Sequence, residues 1–123
     1  MRELIGLEVN GLNETLTIQV LDEPGQGNAC HQYVISRGDA GEHGFSPVKI
    51  GFQNGPIREI GVNGISNEAL LAIVEDRLQG FQFGDYACRE NALALVKLQE
   101  AMMWLHKRSL NRVARGVEGT NEK

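Results

Sequence analysis

Residues 85–116, DYACRENALALVKLQEAMMWLHKRSLNRVARG, decide the fold. No glycine or proline interrupts Tyr86–Arg115. A run of that length, at about 1.5 Å per residue, makes a helix of roughly 45 Å. Asp85 stands in an N-cap position, and Glu90 adds negative charge near the positive end of the helix dipole. Gly116 is placed to end it. Leu95, Leu98, Met102 and Leu105 recur at i, i+3, i+7 and i+10, which draws one apolar stripe. Ala87, Ala94 and Ala101, seven apart beside that stripe, would admit a close neighbour helix.

Upstream, Ser66 or Asn67 can cap a shorter helix in which Leu70, Leu71, Val74 and Leu78 keep helical spacing and Gly80 is the stop. The link Phe81-Gln82-Phe83-Gly84 is short, so the two helices form an antiparallel hairpin. The long arm overshoots the short one, and a second chain is expected to cover its surplus stripe. Further upstream, Asn54-Gly55-Pro56 cannot continue a central strand, because proline lacks the amide donor. Residues 55–65 read as a linker. Before it, Ile5-Leu7-Val9, Leu16-Ile18-Val20, His31-Tyr33-Ile35 and Val48-Ile50-Phe52 alternate with period two, the pattern of strands with one buried face. Gly11-Leu12-Asn13, residues 23–28 and Gly38–Gly44 read as connections. Of 15 glycines, 11 lie at or before Gly64, so turns concentrate there. The expected fold is α+β, with a small antiparallel sheet, a meander, over 1–54. A helical hairpin with a long second helix and a tail follow over 66–123.

The chain has 123 residues and a net charge of −4. All of the imbalance lies in residues 1–60, and residues 61–123 carry as many bases as acids. An acidic chain is ill suited to binding a nucleic-acid polymer or an anionic membrane, where affinity comes from surplus Lys and Arg. No apolar run reaches the ~20 residues of a membrane span, and the N-terminus lacks a signal peptide's apolar segment. Cys30 and Cys88, 58 positions apart, read as reduced thiols of a cytosolic protein.

The catalytic inventory is thin. His31, His43 and His106 share no motif; His31 falls on the apolar face of a strand and His43 in a polar loop. Zinc signatures and a nucleophile elbow are missing, and adjacent Glu75 and Asp76 diverge on their helix. Gly25-Gln26-Gly27 is not followed by a helix, so it reads as a plain loop rather than a phosphate cradle. One constellation stands out. Arg108, Arg112 and Arg115, at i, i+4 and i+7, share a helical face with Lys107 beside them, and no acid lies between Trp104 and Gly116. Positive charge there suits the helix dipole, and equally makes a compact anion site, because guanidinium groups match phosphate oxygens. As exposed charge, these arginines would add only tenths of a kcal/mol to stability. Phe81, Phe83 and Tyr86 at the hairpin tip could stack on bases or plug the hairpin.

The run from GVNGISNEALL through CRENALAL and WLHKR to RGVEGT closely resembles the helical hairpin shared by two groups of bacteriophage counter-defence proteins. One sequesters the nucleotide signal of Thoeris immunity, the other the cyclic oligonucleotides of CBASS immunity. The resemblance covers about residues 51–120. LDEPGQG and HQYVI in the N-terminal part favour the Thoeris anti-defence group, of the first described type. The resemblance implies a sponge, not an enzyme, needing no cofactor or metal. It would hold glycocyclic ADP-ribose, and CBASS cyclic oligonucleotides at further pockets, in the host bacterial cytoplasm. It would assemble as a dimer or higher homo-oligomer, up to a hexamer. By motif position Phe81 would stack on the adenine, with Phe83 as the alternative. Asn91, Arg108 and Arg112 would meet polar and phosphate groups, with Arg89, Arg115 and Thr120 as further candidates. The rival readings are an enzyme that degrades the nucleotide and a phage structural protein that uses the hairpin to oligomerise.

Overall fold

The computed structural model describes residues 1–37 and 46–123. The expected loop Gly38–Gly44, with His43, lies outside the described residues. The chain divides into two compact units, one of Met1–Gly55 with Val62–Ile65, the other of Pro56–Gly61 with Ser66–Lys123. The span 55–65 is thus shared between them rather than standing apart as a linker.

The first unit is a four-stranded sheet in the order β1 (Arg2–Leu4), β2 (Leu16–Val20), β3 (Gln32–Arg37), β4 (Val48–Gly51). Each neighbouring pair is antiparallel, which makes a meander. The register lines up Leu4, Ile18, Ile35 and Val48 in one cross-strand row and Val20, Tyr33 and Ile50 in the next. Alternation puts both rows on one face. Val20, at 0% exposure, is its centre.

The first strand departs from the expected Ile5-Leu7-Val9. Gly6 takes a φ of 105°, which leaves the strand, and the Asn10 side chain accepts the Asn13 amide to start a short helix, α1 (Gly11–Thr15). Local turn chemistry overrides the alternation, and Ile5 and Val9 stay exposed. Between β2 and β3 the Asp22 carboxylate accepts the amides of His31 and Gln32, and the Cys30 thiol donates to the Asp22 carbonyl. After β4 the chain returns through Val62–Ile65, where Ile65 bridges Phe52 in parallel. Gly64 is required there: a Cβ would stand 2.4 Å from the Phe52 carbonyl carbon.

The second unit holds α2 (Ile57–Ile60), α3 (Asn67–Gln82), α4 (Arg89–Ala114) and the C-terminal tail. Ser66 caps α3 by accepting the Ala69 amide. Gly80 does not stop this helix. A glycine costs a helix interior only about 1 kcal/mol, and the Phe83 amide continues the ladder to the carbonyls of Gln79 and Gly80. The second helix begins later than Asp85 would place it, with Cys88 as N-cap. The Gln82 side chain takes both the amide and the carbonyl of Cys88, at 3.0 and 3.2 Å, and thereby holds residues 83–87 in a turn. At about 1.5 Å per residue, α4 is roughly 40 Å long.

Asn91, Leu95, Leu98, Met102, Leu105 and Ser109 are half-buried along α4, alternately four and three apart, as are Leu71, Glu75, Leu78 and Gln82 on α3. That spacing is the seam of an antiparallel pair. Among the described residues, however, this unit contains no buried apolar side chain; its one buried residue is Arg112. Val96, Met103 and Leu110, seven apart, remain 55%, 55% and 68% exposed.

Candidate functional site

The basic half of α4 gathers the candidate anion-binding side chains. On this helix and its C-cap, Trp104, Arg108, Asn111 and Arg115 fall at i, i+4, i+7 and i+11, one stripe turned about 120° away from the Met102–Leu105–Ser109 seam. With Lys107, Arg112 and Lys123 they line a depression of about 350 Å³. Trp104 is 55% exposed, and Lys107 Nζ lies 5.3 Å from its ring centroid, a cation–π contact. Arg108 is exposed and makes no ion pair or hydrogen bond among the described residues. Its guanidinium is open to an incoming anion.

Arg112 behaves differently. It is 8% exposed, and the C-terminal arch consumes its donors. Nε donates to Glu118 Oε2 at 3.2 Å, Nη1 to the Glu122 carbonyl at 2.6 Å, and Nη2 to the carbonyls of Val117 and Thr120 at 3.0 and 3.2 Å. The arch is held from several sides. Gly116 turns with φ 74°, the Val117 amide donates to the Arg112 carbonyl, and the Thr120 hydroxyl donates to the Val117 carbonyl. The Arg58 amide of α2 donates to the Gly119 carbonyl, where an added Cβ would stand 2.9 Å from Ile57. Arg115 donates to the Lys123 carbonyl. The expectation that Arg112 is exposed charge of little consequence to stability is therefore corrected: it is the buried hub of the tail. Thr120, half-buried, belongs to the same arch.

The other candidate residues gather at the opposite end of the hairpin. Phe81 lies in the last turn of α3, 38% exposed, with Tyr86 edge-on at a 6.3 Å centroid distance and the Arg77 guanidinium 5.6 Å from its ring. Phe83 is 93% exposed in the turn. Arg89 is exposed and Asn91 half-buried in the first turn of α4. Asn91 and Arg108 are 17 positions apart on one helix, about 25 Å. A single chain therefore brings Arg108, Arg112, Arg115 and Thr120 together and brings Phe81, Phe83, Arg89 and Asn91 together, but not the one group with the other.

Sequence reasoning passed over Trp104 and Asn111. The signal was available in their spacing to Arg108 and Arg115; Trp104 served to mark where the acid-free run begins and as part of the WLHKR segment, with no role of its own. Elsewhere, His31 is buried at 6% exposure, its Nδ1 3.8 Å from Asp22 and without a hydrogen-bond partner. Desolvation raises the Asp22 carboxyl, but the amides of His31, Gln32 and Asp22 itself, with the imidazole, outweigh it and hold the group below its ordinary value. Among the described residues no three His, Cys, Asp or Glu side chains are grouped to hold a metal ion.

The hairpin has a known counterpart. Residues 46–109 match the family model of the Acb2/Tad1 hairpin domain. That is just over half of the chain, which belongs to this family. It is also 57% identical over 74 residues to a protein of Bacillus phage SBSphiJ7 named Thoeris anti-defense 1. The aligned segment is 60% of this chain and 52% of that protein, so the chain spans about half the length of the curated relative it matches.

Proposed function

We propose that the chain is a phage anti-defence protein that binds a cyclic nucleotide immune signal, glycocyclic ADP-ribose first, and releases it chemically unchanged. The carrying observation is the depression on α4, where Arg108, Lys107 and Arg115 meet beside an exposed indole. Guanidinium groups bind phosphate oxygens through paired charge-assisted hydrogen bonds. The name of the phage relative and the family hairpin support the anti-defence setting. No described helix is long and apolar enough to cross a membrane; the site of action proposed is the host cytoplasm, where such signals diffuse.

Two copies complete the site. The exposed row Val96, Met103, Leu110 is self-complementary when two α4 helices run antiparallel about a two-fold axis through Met103. Val96 then faces the partner's Leu110, and Glu100 comes beside the partner's Lys107. About that axis the tip end of one α4, with Arg89 and Asn91, comes level with the partner's Arg115. A base on Phe81 or Phe83 and phosphates on the arginines would thus share one pocket between chains. The two ends that lie about 25 Å apart in one copy meet in the pair. CBASS cyclic oligonucleotides, with their several phosphates, are the further ligand class such a basic surface suits.

The test is uptake and release. Folded protein is mixed with glycocyclic ADP-ribose, the free nucleotide is followed by mass spectrometry, and the protein is then heat-denatured. Depletion followed by recovery of the intact nucleotide supports the sponge. A linear or smaller product would mean an enzyme, and no depletion of any cyclic nucleotide would leave a structural, oligomerising role.

A further inference from the structure

Trp104 is the only tryptophan in the chain. It is a large aromatic group that stays out of the α3–α4 seam: Met102 and Leu105 turn into the seam, while the indole stays 55% exposed and has only the Lys107 ammonium, 5.3 Å from its centroid, as a ring contact among the described residues. It stands one helical turn from Arg108 and about three turns from Arg115, on the same stripe, with Asn111 between. All four line the same depression, whose volume of about 350 Å³ is in the range of small-ligand pockets. An aromatic plane beside guanidinium groups, with a carboxamide in reach, is the chemistry that holds a mononucleotide. The plane stacks on the base, the guanidiniums bind phosphate, and the amide can pair with a polar edge. The tip aromatics Phe81, Phe83 and Tyr86 cannot fill this role within one chain, because they sit at the far end of α4.

We infer that Trp104 is a stacking platform for a purine base beside Arg108 and Arg115, on the part of the nucleotide pocket that a single chain supplies. The inference rests on the reading of the chain as a nucleotide binder, and it deepens that reading. It makes the basic end of α4 a base-reading site, where the sequence pointed only to phosphate contacts. A ligand with two rings would then use Trp104 as well as the partner's tip.

The lone indole makes the test direct. ADP and ribose 5-phosphate are titrated into the wild type and into Trp104→Leu and Trp104→Phe, with calorimetry for affinity, tryptophan fluorescence for stacking and thermal melts for folding. ADP should quench the wild-type fluorescence and ribose 5-phosphate should not. Trp104→Leu should weaken ADP binding about tenfold, the scale of one base–aromatic stack, and leave ribose 5-phosphate binding unchanged. Trp104→Phe should recover most of the ADP affinity. A merely structural role would weaken both ligands together and lower the melting temperature. Equal ADP affinity in wild type and Trp104→Leu, with no quenching, overturns the inference. So does a wild type that takes up glycocyclic ADP-ribose but not ADP, and in both cases the sponge reading stands. Failure to take up glycocyclic ADP-ribose at all sinks that reading separately.

Discussion

Replacing Arg112 by alanine tests how the basic end of α4 is built. The guanidinium is nearly buried and donates to three carbonyls and one carboxylate of the C-terminal arch. Hydrogen bonds that involve a charged group contribute about 1.5–3 kcal/mol each when buried. The full sum does not apply, because the freed carbonyls lie on a surface segment and water replaces part of what they lose. The Glu118 contact is worth the least: its carboxylate is 40% exposed, and exposed pairs contribute roughly 0–1 kcal/mol. A loss of about 2–4 kcal/mol follows if one or two of the carbonyl bonds are not replaced. For a unit of this size, each kcal/mol lowers the melting temperature by about 4–8 °C. Far-UV circular dichroism should therefore show a drop of roughly 10–30 °C. Limited proteolysis should show early cleavage after Gly116. Arg112→Lys keeps the charge but can satisfy fewer carbonyls, so it should fall between wild type and alanine. A melting temperature within about 2 °C of wild type, the mark of a solvated charge at a helix end, would refute the assignment of Arg112 as the hub of the arch.

Arg108, by contrast, carries no structural bond among the described residues, so Arg108→Ala should leave the melting curve in place and weaken nucleotide binding by about 1.5–3 kcal/mol; a large melting shift with unchanged affinity would reverse the two arginines' roles. Met103→Asp puts a carboxylate at the proposed two-fold axis, where it would face its own copy, and should convert the assembly to monomer in light scattering without unfolding it, since Met103 is half-exposed in the single chain. An unchanged mass would reject that axis. In the sheet unit, the Asp22 carboxyl is held below its ordinary value of 3.8, so its stabilising contribution is present above that pH and fades as pH falls through the lower folded value. Asp22→Asn should melt below wild type at pH 7, with the gap closing in acid; a gap that stays constant down to about pH 3, below the ordinary carboxylate range, would mean that the ionised form is not what the His31 and Gln32 amides recognise.

What the sequence determined by itself was mostly periodic or local. The uninterrupted stretch after Cys88, the 3–4 spacing of Leu95, Leu98, Met102 and Leu105, and the Ser66 cap suffice for a helical hairpin, because helical faces and caps are set by near neighbours. Period two suffices for β2, β3 and β4. It failed at Ile5-Leu7-Val9, where Gly6 and the Asn10 cap act over two or three residues and defeat the alternation. The glycine stop failed at Gly80, whose cost of about 1 kcal/mol in a helix interior does not keep the Phe83 amide from continuing the ladder to Gln79 and Gly80. Of the candidate site, the sequence contained the row of arginines but not their division of labour. Arg108 and Arg112 are four residues apart and look alike in any helical projection. Only the fold of residues 116–122 back onto α4, against Ile57 and Arg58 from sixty positions upstream, buries one guanidinium and leaves the other open. Tertiary structure likewise decided that Phe81 and Asn91 lie a helix length from those arginines, since the turn that makes the hairpin antiparallel also sends its tip to the opposite end of α4.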